Sequence, residues 1–181
     1  MSGSRFGPGY LVGPLEPRHD RRSFSCRVEA LDRYLKEQAT QDARRGVASV
    51  FVAEEQPTGV ILGYYTLSMA AVNLDRLPDH LGRKMPRYPT VPCVRLGRLA
   101  IHADAQGHGL GTHLLMDAMA RALRSEIAWA AFLVDAKDEA ARSFYLRFGF
   151  ESLADDRNHL YLMRRTLEPL FGAGPPRARP R

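Results

Sequence analysis

Gln106-Gly107-His108-Gly109-Leu110-Gly111 is the stretch of this 181-residue chain whose residue types and spacing most directly imply chemistry. Glycines let consecutive backbone N–H groups turn into one small space with no side chain in the way. The run follows Val94–Ile101, which reads as a buried strand rich in branched residues. It precedes Leu114, Leu115, Ala118 and Ala122, apolar positions at helical spacing. A helix starting there adds unpaired N–H groups and the positive end of its dipole. The turn is therefore a candidate seat for a diphosphate. A nucleotide P-loop would need Lys and then Ser or Thr after the last glycine, and Thr112-His113 follow instead. A dinucleotide fingerprint would space its glycines Gly-x-Gly-x-x-Gly near the start of a βαβ array. Here the spacing is Gly-x-Gly-x-Gly, although Asp135 does end the next expected strand. On the residues alone that reading stays open, as does a turn that serves only the fold.

A second motif lies about thirty residues further on: Ala140-Ala141-Arg142-Ser143-Phe144-Tyr145-Leu146-Arg147-Phe148-Gly149-Phe150. Taken with Gln106-x-x-Gly109-x-Gly111, it closely resembles the GCN5-related N-acetyltransferases (GNAT). The resemblance implies that Gln106, Gly107, His108, Gly109, Leu110, Gly111 and Thr112 hold the diphosphate of acetyl-coenzyme A. It also implies that the second helix carries Tyr145 toward the thioester sulfur, beside Phe144 and Asp138. Many family members have Asn where this chain has Asp138; Asp serves equally as a helix N-cap.

The resemblance narrows further. Phe24-x-Cys26, Leu31-Asp32-x-Tyr34-Leu35 and Ala39 are similar to the opening of the acetyltransferase toxins of bacterial toxin–antitoxin pairs. So are Gly63-Tyr64-Tyr65-Thr66-Leu67-Ser68, Leu96-Gly97-Arg98-Leu99-Ala100 and Leu133-Val134-Asp135-Ala136-Lys137. The similarity covers roughly residues 15–168. It implies acetylation of the α-amino group of aminoacyl-tRNA, a block to translation, a homodimer, and a separate ribbon-helix-helix antitoxin that covers the active face. The same chemistry on a protein N-terminus or small amine is the alternative, and a non-catalytic acyl-coenzyme A or RNA-binding module is another.

Acetyl transfer to an amine needs a neutral nucleophile, a polarised thioester carbonyl and a proton for the departing thiolate. The fold implied by the resemblance is α/β, a mixed, mostly antiparallel sheet flanked by helices and splayed at its fourth and fifth strands. A splay would free backbone groups of Leu99, Ala100 and Ile101 to pair with the pantetheine arm. By periodicity alone Tyr145 shares a helical face with Ala141, Phe144 and Phe148 and reads as core. The resemblance makes it the general acid, and a phenol near pKa 10 is close enough to a thiol near 8.5 for proton transfer. No Asp or Glu lies between Val91 and Ile101 to act as base. An α-amine titrates near 8 against about 10.4 for lysine, so the missing carboxylate leans toward an α-amine acceptor.

The formal charge of +6 suits an anionic partner. Arg83, Lys84, Arg87, Arg95 and Arg98, with Tyr88 among them, form a candidate RNA-binding set. His102, His108 and His113 do not share a helical face, and no metal site is expected. Cys26 and Cys93 lack metal spacing and read as small buried thiols.

The elements that must position these residues follow from patterning. With 45% hydrophobic and 25% charged residues the chain reads as an ordinary globular protein, and neither a bilayer span nor a secretion signal is expected. The expected location is the cytoplasm. Residues 1–22 read as an extended, loop-rich segment, 23–168 as the acetyltransferase domain and 169–181 as a disordered basic tail. Val28, Leu31, Leu35 and Ala39 predict one helix ending at Gly46. Strands are expected at 48–53, 60–71, about 91–101 and 129–134, and helices at 109–124 and 138–148. Residues 73–89 should be irregular with one helical turn, and 150–164 should return as one or two antiparallel strands.

Overall fold

The computed structural model describes residues 9–78 and 88–172. Arg83, Lys84 and Arg87, and residues 173–181 of the tail, lie outside the described residues. The strands are β1 (Tyr10–Pro14), β2 (Ser49–Glu55), β3 (Ile61–Asn73), β4 (Thr90–Ile101), β5 (Ala131–Asp135), β6 (Glu151–Ser152) and β7 (His159–Met163). They form one sheet in the order β1-β2-β3-β4-β5-β7-β6. The pairs β1/β2, β2/β3, β5/β7 and β6/β7 are antiparallel, and β4/β5 is parallel. This is the mixed, mostly antiparallel sheet anticipated from the sequence. The helices are α1 (Glu29–Arg33), α2 (Ala39–Arg44), α3 (Leu110–Arg124), α4 (Glu139–Leu146) and α5 (Arg164–Leu167). No helix among the described residues is long and apolar enough to cross a membrane.

The chain packs as two compact units, Met1–Ser68 with Leu96–Ala118, and Met69–Arg95 with Met119–Arg181. In the first, Phe24, Leu35, Val52, Ile61, Tyr64 and Ala100 build the core. The Phe24 ring meets Tyr64 edge-on at 5.5 Å, and Tyr34 stacks on Tyr64 at 6.2 Å. The expected first helix is interrupted: a π-helical turn, Tyr34–Gln38, joins α1 to α2. Its end follows the sequence closely. Gly46 adopts φ +69°, its N–H donates to Ala43 O at 3.3 Å, and Val47 N–H donates to Asp42 O at 2.9 Å. That is a Schellman cap, which needs a left-handed residue after the last turn. Strand β1 was hidden by Gly9, Gly13 and Pro14, which punctuate its alternation. Proline is tolerated because β1 is an edge strand.

In the second unit the core is built from Val72, Val91, Cys93, Leu133, Tyr161 and Met163. The 73–89 segment opens with one 3-10 turn, Leu74–Arg76. Strand β5 begins two residues later than expected because Trp129 is engaged outside the sheet, its Nε1 donating to Ala122 O at 2.9 Å near the end of α3. The Arg164 guanidinium lies 4.8 Å over the Trp129 ring.

Candidate functional site

In the first unit the glycine turn joins β4, through a 3-10 turn at Ala103–Ala105, to α3. Gly107 and Gly109 have φ +80° and +81°, a conformation L side chains rarely adopt. A Cβ built at either would meet nothing within 4 Å, so conformation rather than crowding demands glycine there. Gly109 O accepts the first bond of α3, from His113 N at 3.1 Å. The N–H groups of Leu110, Gly111 and Thr112 belong to the first turn and have no carbonyl four residues back within the helix. No acidic side chain occupies that turn. An open cradle with N–H groups at a positive helix end fits a diphosphate. His108 is exposed. His113 pairs through Nδ1 with Tyr10 Oη, fixing β1 to α3.

Gln106, though exposed, folds its side chain back onto the backbone. Its Nε2 donates to Ile101 O at 3.0 Å and to Cys26 O at 3.3 Å. The amide thus ties the turn to the end of β4 and to the chain entering α1. Leu99 and Ile101 are half-buried and Ala100 buried at that end of β4. Ala100 and Ile101 are pressed against bare backbone: a Cβ at Gly63 would lie 2.9 Å from Ala100 O and from Ile101 Cδ1, and 3.0 Å from Leu114 Cδ1. Gly63 is a positioning residue that sequence reasoning did not single out, since no turn or sign of φ marks it.

In the second unit Asp138 caps α4, its Oδ1 accepting from Ala141 N at 2.8 Å. The hydrogen bond from Lys137, then that from Ala141, holds this exposed carboxyl below the usual range. Tyr145 is buried at 7% exposure. Its ring meets Phe144 at 5.2 Å and Phe150 at 5.6 Å, while Phe144 itself is half-buried. Burial, with the Asp135 charge adding to it, pushes the Tyr145 phenol above its ordinary value. The residue sits in a core environment that keeps its phenol protonated.

The candidate RNA-binding arginines within the described residues are engaged. Arg95 pairs with Asp135, which also takes His159 Nε2 at 3.2 Å. Arg98 lies 3.6 Å over the Tyr34 ring. Burial and then Asp42 push the Tyr34 phenol up to about 12, with Arg98 opposing. Tyr88 is exposed. Both cysteines are buried, and burial first of all raises each thiol to about 11. Among the described residues no group of three or more His, Cys, Asp or Glu could hold a metal.

Known proteins are similar to this chain in sequence and fold. The chain is 36% identical over 155 residues to the tRNA-acetylating toxin of Mycobacterium tuberculosis (strain ATCC 25618 / H37Rv), covering 84% of this chain and 91% of that protein. It matches AtaT complexed with acetyl-methionyl-tRNAfMet at TM-score 0.83 and 29% identity, covering 91% of this chain and 100% of that one. A mutant AtaT toxin bound to the C-terminus of the antitoxin AtaR and acetyl-CoA matches at TM-score 0.75 and 25% identity, covering 90% and 98%. The model of the Acetyltransferase (GNAT) family matches residues 17–150, so the chain carrying this glycine cradle and buried tyrosine belongs to that family.

Proposed function

We propose that the chain is a toxin that transfers acetyl from acetyl-CoA to the α-amino group of aminoacyl-tRNA and so blocks translation. The likeness to a tRNA-acetylating toxin across 84% of the chain carries this reading, and the open cradle at Gly107 and Gly109 supports the choice of donor. Bound acetyl-CoA supplies an acetyl group already activated as a thioester. The N–H groups from Gly107 to Thr112 hold the diphosphate, with Gln106 fixing the turn from behind. Backbone groups of Leu99, Ala100 and Ile101 align the pantetheine arm, and an N–H there meets the carbonyl oxygen as charge develops on it. Tyr145 Oη holds the proton that the departing sulfur needs. Burial raises the phenol and keeps it protonated, so that its proton is present to be given. The acceptor amine loses its proton to water or a nearby carboxylate, which an α-amine near pKa 8 does readily.

The same reading places the protein in the cytoplasm, as a homodimer, with a ribbon-helix-helix antitoxin over its active face. Residues 23–168 then form the acetyltransferase domain. Arg83, Lys84 and Arg87 would meet tRNA phosphates, with Arg95 and Arg98 positioned through Asp135 and Tyr34.

Transfer of labelled acetyl into a charged total tRNA pool, with deacylated tRNA as control, tests the acceptor directly. Label on charged tRNA alone is expected. Label on neither pool, with acetyl-CoA still bound in calorimetry, would refute the acceptor and redirect it to peptide N-termini or small amines. Tyr145→Phe should lower turnover by roughly 10²–10⁴ while leaving acetyl-CoA affinity in place. A rate within about threefold of the native enzyme would remove Tyr145 as the acid, since general acids contribute far more.

A further inference from the structure

Arg27 is the one non-glycine residue with positive φ among the described residues, at +66°. The left-handed region costs an ordinary L residue roughly 1–2 kcal/mol, and glycine would adopt it freely. The neighbouring bonds explain why the backbone is forced there. Cys26 N donates to Asp32 Oδ1 at 2.7 Å, and Cys26 O accepts from Gln106 Nε2 at 3.3 Å. Ser25 O accepts from Ala103 N at 2.8 Å, and Ser25 Oγ donates to Asp32 Oδ2 at 3.1 Å. Residues 25 and 26 are thus strapped on one side to the start of α1 and on the other to the segment that leads into the glycine turn. The chain must reverse sharply at residue 27 to enter α1.

A neutral turn would put glycine at this position. Instead an exposed arginine stands there, one residue from the carbonyl that Gln106 grips. Among the described residues its guanidinium makes no ion pair. Strain of this kind persists only where surrounding structure over-determines it, and it concentrates at ligand sites. A planar guanidinium with a fork of donors is suited to phosphate oxygens. The N–H cradle itself holds only a diphosphate, whereas coenzyme A carries a further phosphate on its ribose.

We propose that Arg27 is a phosphate-binding residue for acetyl-CoA, reaching from its left-handed position to a phosphate of the coenzyme seated at the Gly107–Gly111 turn. This rests on the acetyl-CoA reading of that turn. Strapping residues 25 and 26 to Gln106 and Ala103 fixes the distance between the guanidinium's root and the cradle. The strain is then the cost of holding a cation at that edge.

Arg27→Gly removes the cation and the backbone strain together. Arg27→Asn, a residue that tolerates the left-handed region, is the second variant. Calorimetric titration with acetyl-CoA should give a Kd about tenfold weaker for both, the loss of one charge-assisted contact. The melting temperature of unliganded Arg27→Gly should hold or rise. Titration with 3′-dephospho-acetyl-CoA identifies the phosphate. Native and variant converge on it if Arg27 meets the ribose phosphate, and stay about tenfold apart if it meets the diphosphate. Variant affinities for acetyl-CoA within twofold of native would overturn the inference alone. No binding by the native chain would overturn the reading of the turn and this inference with it.

Discussion

Gly63 on β3 and Ala100 on β4 approach so closely that a Cβ built at residue 63 would stand 2.9 Å from the Ala100 carbonyl oxygen. The same atom would meet Ile101 Cδ1 at 2.9 Å and Leu114 Cδ1 at 3.0 Å. One bare position therefore lets β3, the end of β4 and the first turns of α3 come together. Gly63→Ala must push back a backbone oxygen, which cannot rotate away as a side chain can. Overpacking of this kind costs about 1–3 kcal/mol. We expect chemical denaturation to show that loss and calorimetry to show weaker acetyl-CoA binding, since the displaced strand is the one meant to align the pantetheine arm. Native affinity in a folded Gly63→Ala protein would mean that the end of β4 does not set cofactor geometry.

Gln106 offers a second test of the same region. Its side-chain amide donates to two carbonyls, Ile101 O and Cys26 O. Gln106→Leu leaves both unpaired by the amide, at about 1–3 kcal/mol for a buried acceptor and less where water replaces it. Gln106→Glu is expected to be worse than Leu for cofactor affinity, because an ionised carboxylate repels both the carbonyls and the diphosphate. Equal affinities for the two variants would argue that Gln106 acts by shape alone.

What was legible in the sequence divides along physical lines. Gly107, Gly109 and Gly46 announce themselves because positive φ is a local demand, and Asp138 announces a helix start because capping is local too. The family was legible through two motifs in order, the glycine turn and the stretch around Tyr145. Gly63 was not, because its need for a missing side chain comes from Ala100 and Leu114, 37 and 51 positions away. The π-helical turn at Tyr34–Gln38 was not, since the apolar stripe is nearly the same for either winding. Arg95 looked like a free cation in the sequence, and only pairing with Asp135 reveals its engagement.

Asp32 links the strap beneath Arg27 to acid stability. Partial burial alone would raise its carboxyl, but hydrogen bonds from Cys26 and Ser25 outweigh that and hold it below the ordinary value. A carboxyl depressed in the folded state stabilises above the ordinary aspartate value near 3.9, and that contribution fades as pH falls through the folded value. Asp32→Ala should lower the melting temperature at neutral pH and flatten its decline below about pH 4. An unchanged acid slope would show that the strap does not depend on the ionised form.

Tyr145 gives the opposite sign at the other end of the pH scale. Burial first, and the Asp135 charge second, raise its phenol above the ordinary value. The folded state therefore holds that proton more tightly than the unfolded chain does. Its contribution is complete below the unfolded value near 10 and is lost as pH rises toward the folded one. Tyr145→Phe should make stability less steeply dependent on pH above about 10, besides abolishing most turnover. Asp135→Asn removes one of the two causes and leaves burial, so the phenol should titrate lower without reaching its ordinary value. Absorbance titration of tyrosinate in Asp135→Asn, with Tyr145→Phe as the reference that lacks this phenol, reads the shift independently of any acceptor. A Tyr145 titration unmoved by Asp135→Asn would leave burial as the sole cause, and Asp135 would then matter only to Arg95 and His159.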